Sequence, residues 1–235
     1  MNQQMEMAGI TPRPRAKTRK AGRHNRRAQR TRARLMEAAR SLFTEQGIEL
    51  TSIDDITCRA DVGKGTFYYH FTNREEIVRD LIDWVIEELL TVIDDTCRDS
   101  TDLKTTLEGL IKAHVVFFSN RWEDFVLFFQ GRSELTIEQS YEGIETPFLK
   151  YLERVEELLE RFISAKLPPP VMRRIACAVV GLVSGYYSFA AIESLDDSVD
   201  LTFASLREAM VASLMRFIQE ASIQPGPETF PAGRG

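Results

Sequence analysis

Apolar residues recur along this chain with the period of an α-helix and nowhere with that of a strand. Leu35, Ala38, Ala39, Leu42 and Phe43 fall at i, i+3, i+4, i+7 and i+8, one face at 3.6 residues per turn. Gly47 follows as a natural stop. The spacing predicts a first helix from about residue 26 to Gln46. A second opens at Ser52, where Ser52 and Asp55 fit a capping box, and ends near Ala60. Asp61-Val62-Gly63 reads as a three-residue turn, and Lys64 to His70 as a short helix. Asn73 with Glu76 opens a long helix carrying Ile77, Leu81, Val85, Ile86, Leu89 and Ile93. Helical patterning continues from Asp102 to Ser119, from Asn120 to Glu134, and from Ile137 to Lys166 with a kink expected at Pro147. It resumes after Pro168-Pro169-Pro170 to Ser194, and from Asp200 to Ala221. The fold class is all-α.

Charge divides the 235 residues unevenly. Between Arg13 and Arg34 there are 11 Lys or Arg and no acid, whereas from Glu37 onward the balance is −15. A basic arm on an acidic body is the asymmetry of a chain whose one end meets a polyanion. The arm lacks the Ser-rich amphipathic character of a transit peptide. Pro12 and Pro14 suit an extended segment, so residues 1–25 are expected to be a disordered basic arm.

The three cysteines, Cys58, Cys97 and Cys177, and the three histidines, His24, His70 and His114, show no metal-ligand spacing. Neither a metal nor a cofactor is expected. The sparse cysteines and the lack of an early apolar segment point to a reducing, cytoplasmic setting. Ile175 to Ile192 is an 18-residue stretch without charge that contains Gly181 and Gly185. Ser184, Tyr186, Tyr187 and Ser188 in its middle favour a buried helix over a membrane span.

Two short helices joined by a three-residue turn, behind a longer one, describe a helix-turn-helix. In Lys64-Gly65-Thr66-Phe67-Tyr68-Tyr69-His70-Phe71, Phe67 and Phe71 are anchors at i, i+4. Lys64, Thr66, Tyr68 and Tyr69 remain as outward donors. Their hydroxyls and ammonium suit phosphate, while the Thr methyl and the Tyr ring suit a thymine methyl. Gly65 lets backbone approach closely.

Thr51-Ser52-Ile53-Asp54-Asp55-Ile56, then Ala60 to Phe71, then Asn73-Arg74-Glu75-Glu76-Ile77 resemble the TetR family of bacterial transcriptional regulators. The resemblance covers roughly Gln29 to Leu81; beyond it only the all-helical architecture and length fit. It implies a DNA-binding domain of three helices plus the start of a fourth. Lys64, Gly65, Thr66, Tyr68, Tyr69 and His70 then occupy recognition-helix positions. Thr51 and Ser52 stand where the family meets phosphate, and Arg74 where it clamps the backbone. Asp61-Val62-Gly63 departs from the family's Gly-Val-Ser: a capping hydroxyl is lost and an acid stands beside the DNA face. Arg26, Arg27 and Arg30 flank the first helix, either reaching phosphate or a minor groove or only raising local concentration near DNA.

Phe118, Trp122, Phe125 and Phe129 step by 4, 3 and 4, one helical stripe if the boundary at Asn120 is gentle. Core packing explains such a stripe; so does an apolar pocket between helices. The resemblance implies the pocket, with His114, Tyr141, Tyr186 and Tyr187 as its candidate polar groups. A small apolar or aromatic-containing effector is the expected ligand, its identity open. For a homodimer suited to palindromic DNA, the last two helices are the expected seam. Gly181 and Gly185 would allow close approach, flanked by Val180, Val183 and Tyr187, with Leu206, Met210, Leu214 and Phe217 on the final helix.

The expected organisation is therefore a DNA-binding domain at 26–72, a ligand-sensing and dimerisation domain at 73–222, and a disordered tail at 223–235. The chain carries no GxSxG, P-loop, HExxH or GxGxxG pattern, so an enzyme is not expected. The other reading is a sequence-nonspecific nucleic-acid binder driven by the arm. It predicts that deleting residues 1–25 abolishes binding while Tyr68→Ala does little.

Overall fold

The computed structural model describes residues 17–119, 121–134, 143, 145–163, 167–193 and 199–223. Among these residues there are nine helices and no strand. They are α1 (Lys17–Gln46), α2 (Ile53–Arg59), α3 (Lys64–His70), α4 (Arg74–Cys97), α5 (Leu103–Phe118), α6 (Trp122–Glu134), α7 (Glu145–Glu160), α8 (Pro169–Glu193) and α9 (Val199–Ile223).

Helix α1 begins at Lys17, upstream of the start near residue 26 that its apolar stripe suggests. The stripe marks only the part of the helix that has something to pack on. Beyond Pro14 the sequence is mostly Lys, Arg and Ala, good helix formers that outweigh Gly22, and no further proline interrupts it before Gln46. The region 1–16 lies outside the described residues, as does 224–235.

Helix α2 starts as its capping box requires. Ser52 Oγ accepts from the Asp55 amide at 3.1 Å, and Asp55 Oδ2 accepts from the Ser52 amide at 2.9 Å. At α4 the exchange is displaced by one residue. Asn73 Oδ1 accepts from the Glu76 amide at 2.9 Å, while Glu76 Oε2 accepts from the Thr72 amide at 2.6 Å. Asp102 and Thr105 form a further capping box at α5. Pro147 sits in the first turn of α7, where a missing amide costs nothing, and no kink is needed.

Leu35, Ala39, Phe43, Ile56, Phe67 and Phe71 close the core of the three-helix head. Helix α4 runs out of it, burying Ile77, Leu81, Val85, Ile86, Leu89 and Ile93 against both head and bundle. It packs on α1, α5, α6 and α7, and α1 also touches α6 directly. The buried side chains of head and bundle form one continuous cluster.

On α8, Val183 and Tyr187 are 0% and 3% exposed within their own chain, so they do not flank an outer seam. A helix turns about 100° per residue, which puts them opposite Gly181 and Gly185. Those two glycines open onto empty space. Leu182 stands exposed beside them. On α9, Met210 and Leu214 face inward, while Leu206 and Phe217 lie exposed at the edge of that face. No helix among the described residues is long and apolar enough to cross a membrane. Among the same residues no group of three or more His, Cys, Asp or Glu could hold a metal ion.

Candidate functional site

Helix α3 is held from beneath by Phe67 and Phe71, whose ring centroids lie 5.5 Å apart. Anchoring these two rings leaves Lys64, Gly65, Tyr68 and Tyr69 on the outer surface. Tyr68 and Tyr69 are 53% and 67% exposed, unusual for residues that bury readily. Tyr68 meets Phe67 edge-on at 5.6 Å and Tyr69 meets His70 edge-on at 4.9 Å, which orients both phenols outward from a fixed base. Partial burial and the nearby Arg32 guanidinium lower the His70 pKa, favouring the neutral ring.

Four of the expected contact residues have side chains committed within the chain. Thr51 is fully buried, and its hydroxyl donates to the Gly47 carbonyl at 2.8 Å. Arg74 turns inward and donates to the carbonyls of Ile48, Glu49 and Thr51 at 3.1–3.3 Å. It ties the start of α4 to the loop after α1. The Lys64 ammonium pairs with Asp54 at 2.8 Å on the surface, which raises its pKa. Ser52 is exposed, but its hydroxyl serves the cap of α2.

The turn before α3 shows what its departure from Gly-Val-Ser does. Asp61 adopts φ 50, the left-handed region where glycine is at ease. Gly63 caps α3 without a side-chain hydrogen bond. Arg34 of α1 braces this turn, donating to the Ala60 carbonyl at 2.5 Å and lying 3.6 Å from the Asp61 carboxylate. A cleft of about 720 Å³ separates the two elements. Arg27, Arg30 and Arg34 line one wall, and Gly65, Thr66, Tyr69 and His70 line the other. Arg26 is exposed on the same helix. Arginines of α1 and the Tyr69 phenol of α3 therefore border one depression.

The aromatic residues of the body also come together. Phe118 meets Phe125 at 5.4 Å and Tyr187 at 5.7 Å. Phe125 meets Phe129 at 4.6 Å and Tyr187 at 5.0 Å. His114 joins them, 6.4 Å from Phe118. The stripe thus continues from α5 into α6. The side chain of Trp122 and the whole of Tyr141 lie outside the described residues, and Tyr186 is half-buried.

One polar pair sits inside this cluster. His114 Nδ1 lies 2.7 Å from the Leu110 carbonyl, so Nδ1 carries the proton and donates. Nε2 then accepts from the hydroxyl of Tyr151, a buried residue of α7. Burial pushes the His114 pKa down to about 4, so the ring is neutral at pH 7. Tyr151 has no place in the aromatic stripe read from α5 and α6. The signal was present in the spacing of Phe148, Tyr151, Val155 and Leu158, hidden among charged neighbours.

A second feature absent from the sequence reading joins head to body. Arg40 of α1 donates to Asp124 Oδ1 at 3.0 Å and reaches Glu123 Oε2 at 2.7 Å. Asp124 is 1% exposed. Its burial raises the carboxyl pKa, against the lowering effect of Arg40 and Arg121. Arg40 also lies over the Trp84 ring of α4, 5.8 Å from its centroid.

Residues 35–81 match the family model described as bacterial regulatory proteins, tetR family. The uncharacterized HTH-type transcriptional regulator YvdT of Bacillus subtilis is 25% identical over 56% of this chain and 66% of its own length. The HTH-type transcriptional repressor KstR2 of Mycobacterium tuberculosis is 28% identical over 48% of this chain and 57% of its own. The chain thus spans less than two thirds of these curated relatives. Among solved structures, Bacillus subtilis FadR in complex with stearoyl-CoA superposes with a TM-score of 0.59 at 17% identity. That alignment covers 77% of this chain and 96% of that one. At such identity the likeness shows the fold.

Proposed function

We propose that this chain, whose residues 35–81 match the model of the TetR family of bacterial regulatory proteins, is a ligand-responsive transcriptional regulator of that family that reads operator DNA as a homodimer. The observation that carries the reading is the outer surface of α3. Two tyrosines more than half exposed stand on a base of two buried phenylalanines, beside a cleft lined by three arginines. A core helix has no use for such a surface; a major groove does.

In this reading Gly65, Thr66, Tyr68 and Tyr69 face base edges and phosphates, and His70 borders the cleft. Lys64 exchanges Asp54 for phosphate. Arg26 and Arg27 of α1 approach the flanking backbone. Ser52 offers phosphate its exposed position at the start of α2, while Thr51 and Arg74 act from beneath by fixing the loop between α1 and α2. The division near residue 72 separates the reading head from the body, with α4 shared between them.

The sensor is the aromatic cluster around Phe118, Phe125, Phe129 and Tyr187, with His114 as its polar fixture. An apolar or aromatic-containing effector entering between these rings must reposition α5, α6 or α7. A ligand that prefers one arrangement shifts the population toward it and changes DNA affinity by its differential binding. KstR2 is named a repressor and the FadR structure holds stearoyl-CoA. By analogy, repression relieved by an acyl-bearing ligand is the version of this mechanism we propose. The open stripe of Gly181 and Gly185 with exposed Leu182 on α8, together with exposed Leu206 and Phe217 on α9, supports a two-fold seam of α8 and α9.

Fluorescence anisotropy tests the proposal, using DNA from upstream of the chain's own gene and a scrambled control across salt. A preference of about 10³ or more for the upstream DNA is expected. Equal binding to both, vanishing at high salt, would leave only a nonspecific basic arm.

A further inference from the structure

Helix α6 has two occupations on adjacent residues. Phe125, Phe128 and Phe129 belong to the aromatic cluster, meeting Phe118, Phe148, Tyr151 and Tyr187. Asp124, next to Phe125, is buried and ion-paired to Arg40 of the reading head. Among the described residues, Arg40 Nε and Asp124 Oδ2 make no hydrogen bond, and Arg121 stands 3.7 Å from Oδ2. A buried charge pair left short of full hydrogen bonding is a poor source of stability. Its defensible use is to select one register between two packed elements. The two elements here are α1, which braces the turn before α3 through Arg34, and α6, which lines the sensor. Gln130 adds a second tie, donating to the Phe43 carbonyl at 3.3 Å.

Resting on the regulator reading above, we infer that Arg40 and Asp124 are positioning residues for DNA recognition: their ion pair makes the seating of α6 among the aromatic rings set the placement of the reading head. A movement of α6 reaches the head because Asp124, in leaving Arg40, gives up its hydrogen-bonded partner inside the protein and keeps only the longer contact to Arg121. Helix α1 follows, and with it the turn and α3.

The structure supplies a wedge that replaces an unidentified ligand. A Cβ at Gly131 of α6 would lie 2.6 Å from Ile82 Cδ1 on α4 and 3.3 Å from Phe148 on α7. Ile82 and Phe148 are both buried, so Gly131→Ala crowds the junction of α4, α6 and α7, at the end of the helix remote from Asp124. Affinity for the upstream DNA is measured for wild type, Gly131→Ala, Asp124→Asn and the double variant, each checked for an intact thermal transition. Arg40→Gln takes the place of Asp124→Asn if the latter does not fold. The expected result is that Gly131→Ala changes affinity by about fivefold or more in the wild-type background and by less than about twofold once the pair is cut. Additive changes in the double variant, or no change on inserting the wedge into a folded wild type, would overturn the inference while leaving the regulator reading intact. Wild type binding upstream and scrambled DNA equally would overturn the regulator reading, and this one with it.

Discussion

Replacing Asp61 separates backbone strain from charge at the edge of the DNA face. Asp61 holds φ 50, and its carboxylate is 99% exposed, 3.6 Å from Arg34. A left-handed L-residue costs roughly 1 kcal/mol, somewhat less for Asp than for most. Glycine removes that strain but adds freedom to the unfolded chain worth about 0.4–1 kcal/mol. The two nearly cancel, so Asp61→Gly should move Tm by no more than about 3 °C. Asp61→Asn keeps the side chain's tolerance of the left-handed region and should leave Tm unchanged. DNA binding should respond to both alike. Each variant removes a negative charge from the cleft wall and releases the charge of Arg34 to phosphate. One further phosphate contact per subunit steepens the log–log salt slope by about 0.9, or about 2 for a dimer. The affinity gained over wild type should then be about tenfold larger at 50 mM than at 200 mM salt. Anisotropy titrations across that range measure it. An unchanged slope, or a gain confined to Asp61→Gly, would refute the electrostatic reasoning and leave strain as the sole effect.

Other outcomes follow from the same contacts. Ser52→Ala removes half of the α2 capping box and should cost about 1 kcal/mol in denaturant unfolding. Tyr151→Phe withdraws the donor from a buried His114 Nε2 and should destabilise by about 1–3 kcal/mol, with the loss smaller in a His114→Phe background. His114 titrates near 4 when folded and near 6.5 when unfolded. The unfolded chain therefore binds more protons between those values, and stability contributed above pH 6.5 is lost as pH falls toward 4. The change amounts to roughly 3 kcal/mol over that window and should disappear in His114→Phe, as urea melts at a series of pH values will show.

Much of the fold was legible because its determinants are local. Ser52 with Asp55 and Gly47 with Phe43 act within a few residues, so helix ends could be read directly. The anchors Phe67 and Phe71 and the exposed Tyr68 and Tyr69 separate by period alone. What escaped reading depends on partners distant in sequence. Arg74 looked like a phosphate clamp until the loop carbonyls 23 to 26 positions earlier were brought beneath it. Arg40 and Asp124, 84 residues apart, sit among many charged residues and gain meaning only through the burial of one partner. Val183 and Tyr187 were mistaken for an outer seam because apolar pattern marks a buried face without saying which neighbour buries it. The start of α1 was misplaced because a helix with no apolar stripe leaves no period to count.

The most direct test sets α3 against the basic arm. Tyr68→Ala is compared with a variant in which Lys17, Arg19, Lys20 and Arg23 become Gln, both titrated with upstream and scrambled DNA at fixed salt. Specific reading by α3 predicts that Tyr68→Ala abolishes the preference for upstream DNA, while the arm variant weakens binding to both DNAs and keeps the preference. Loss of all binding in the arm variant, with the preference unchanged by Tyr68→Ala, would contradict it.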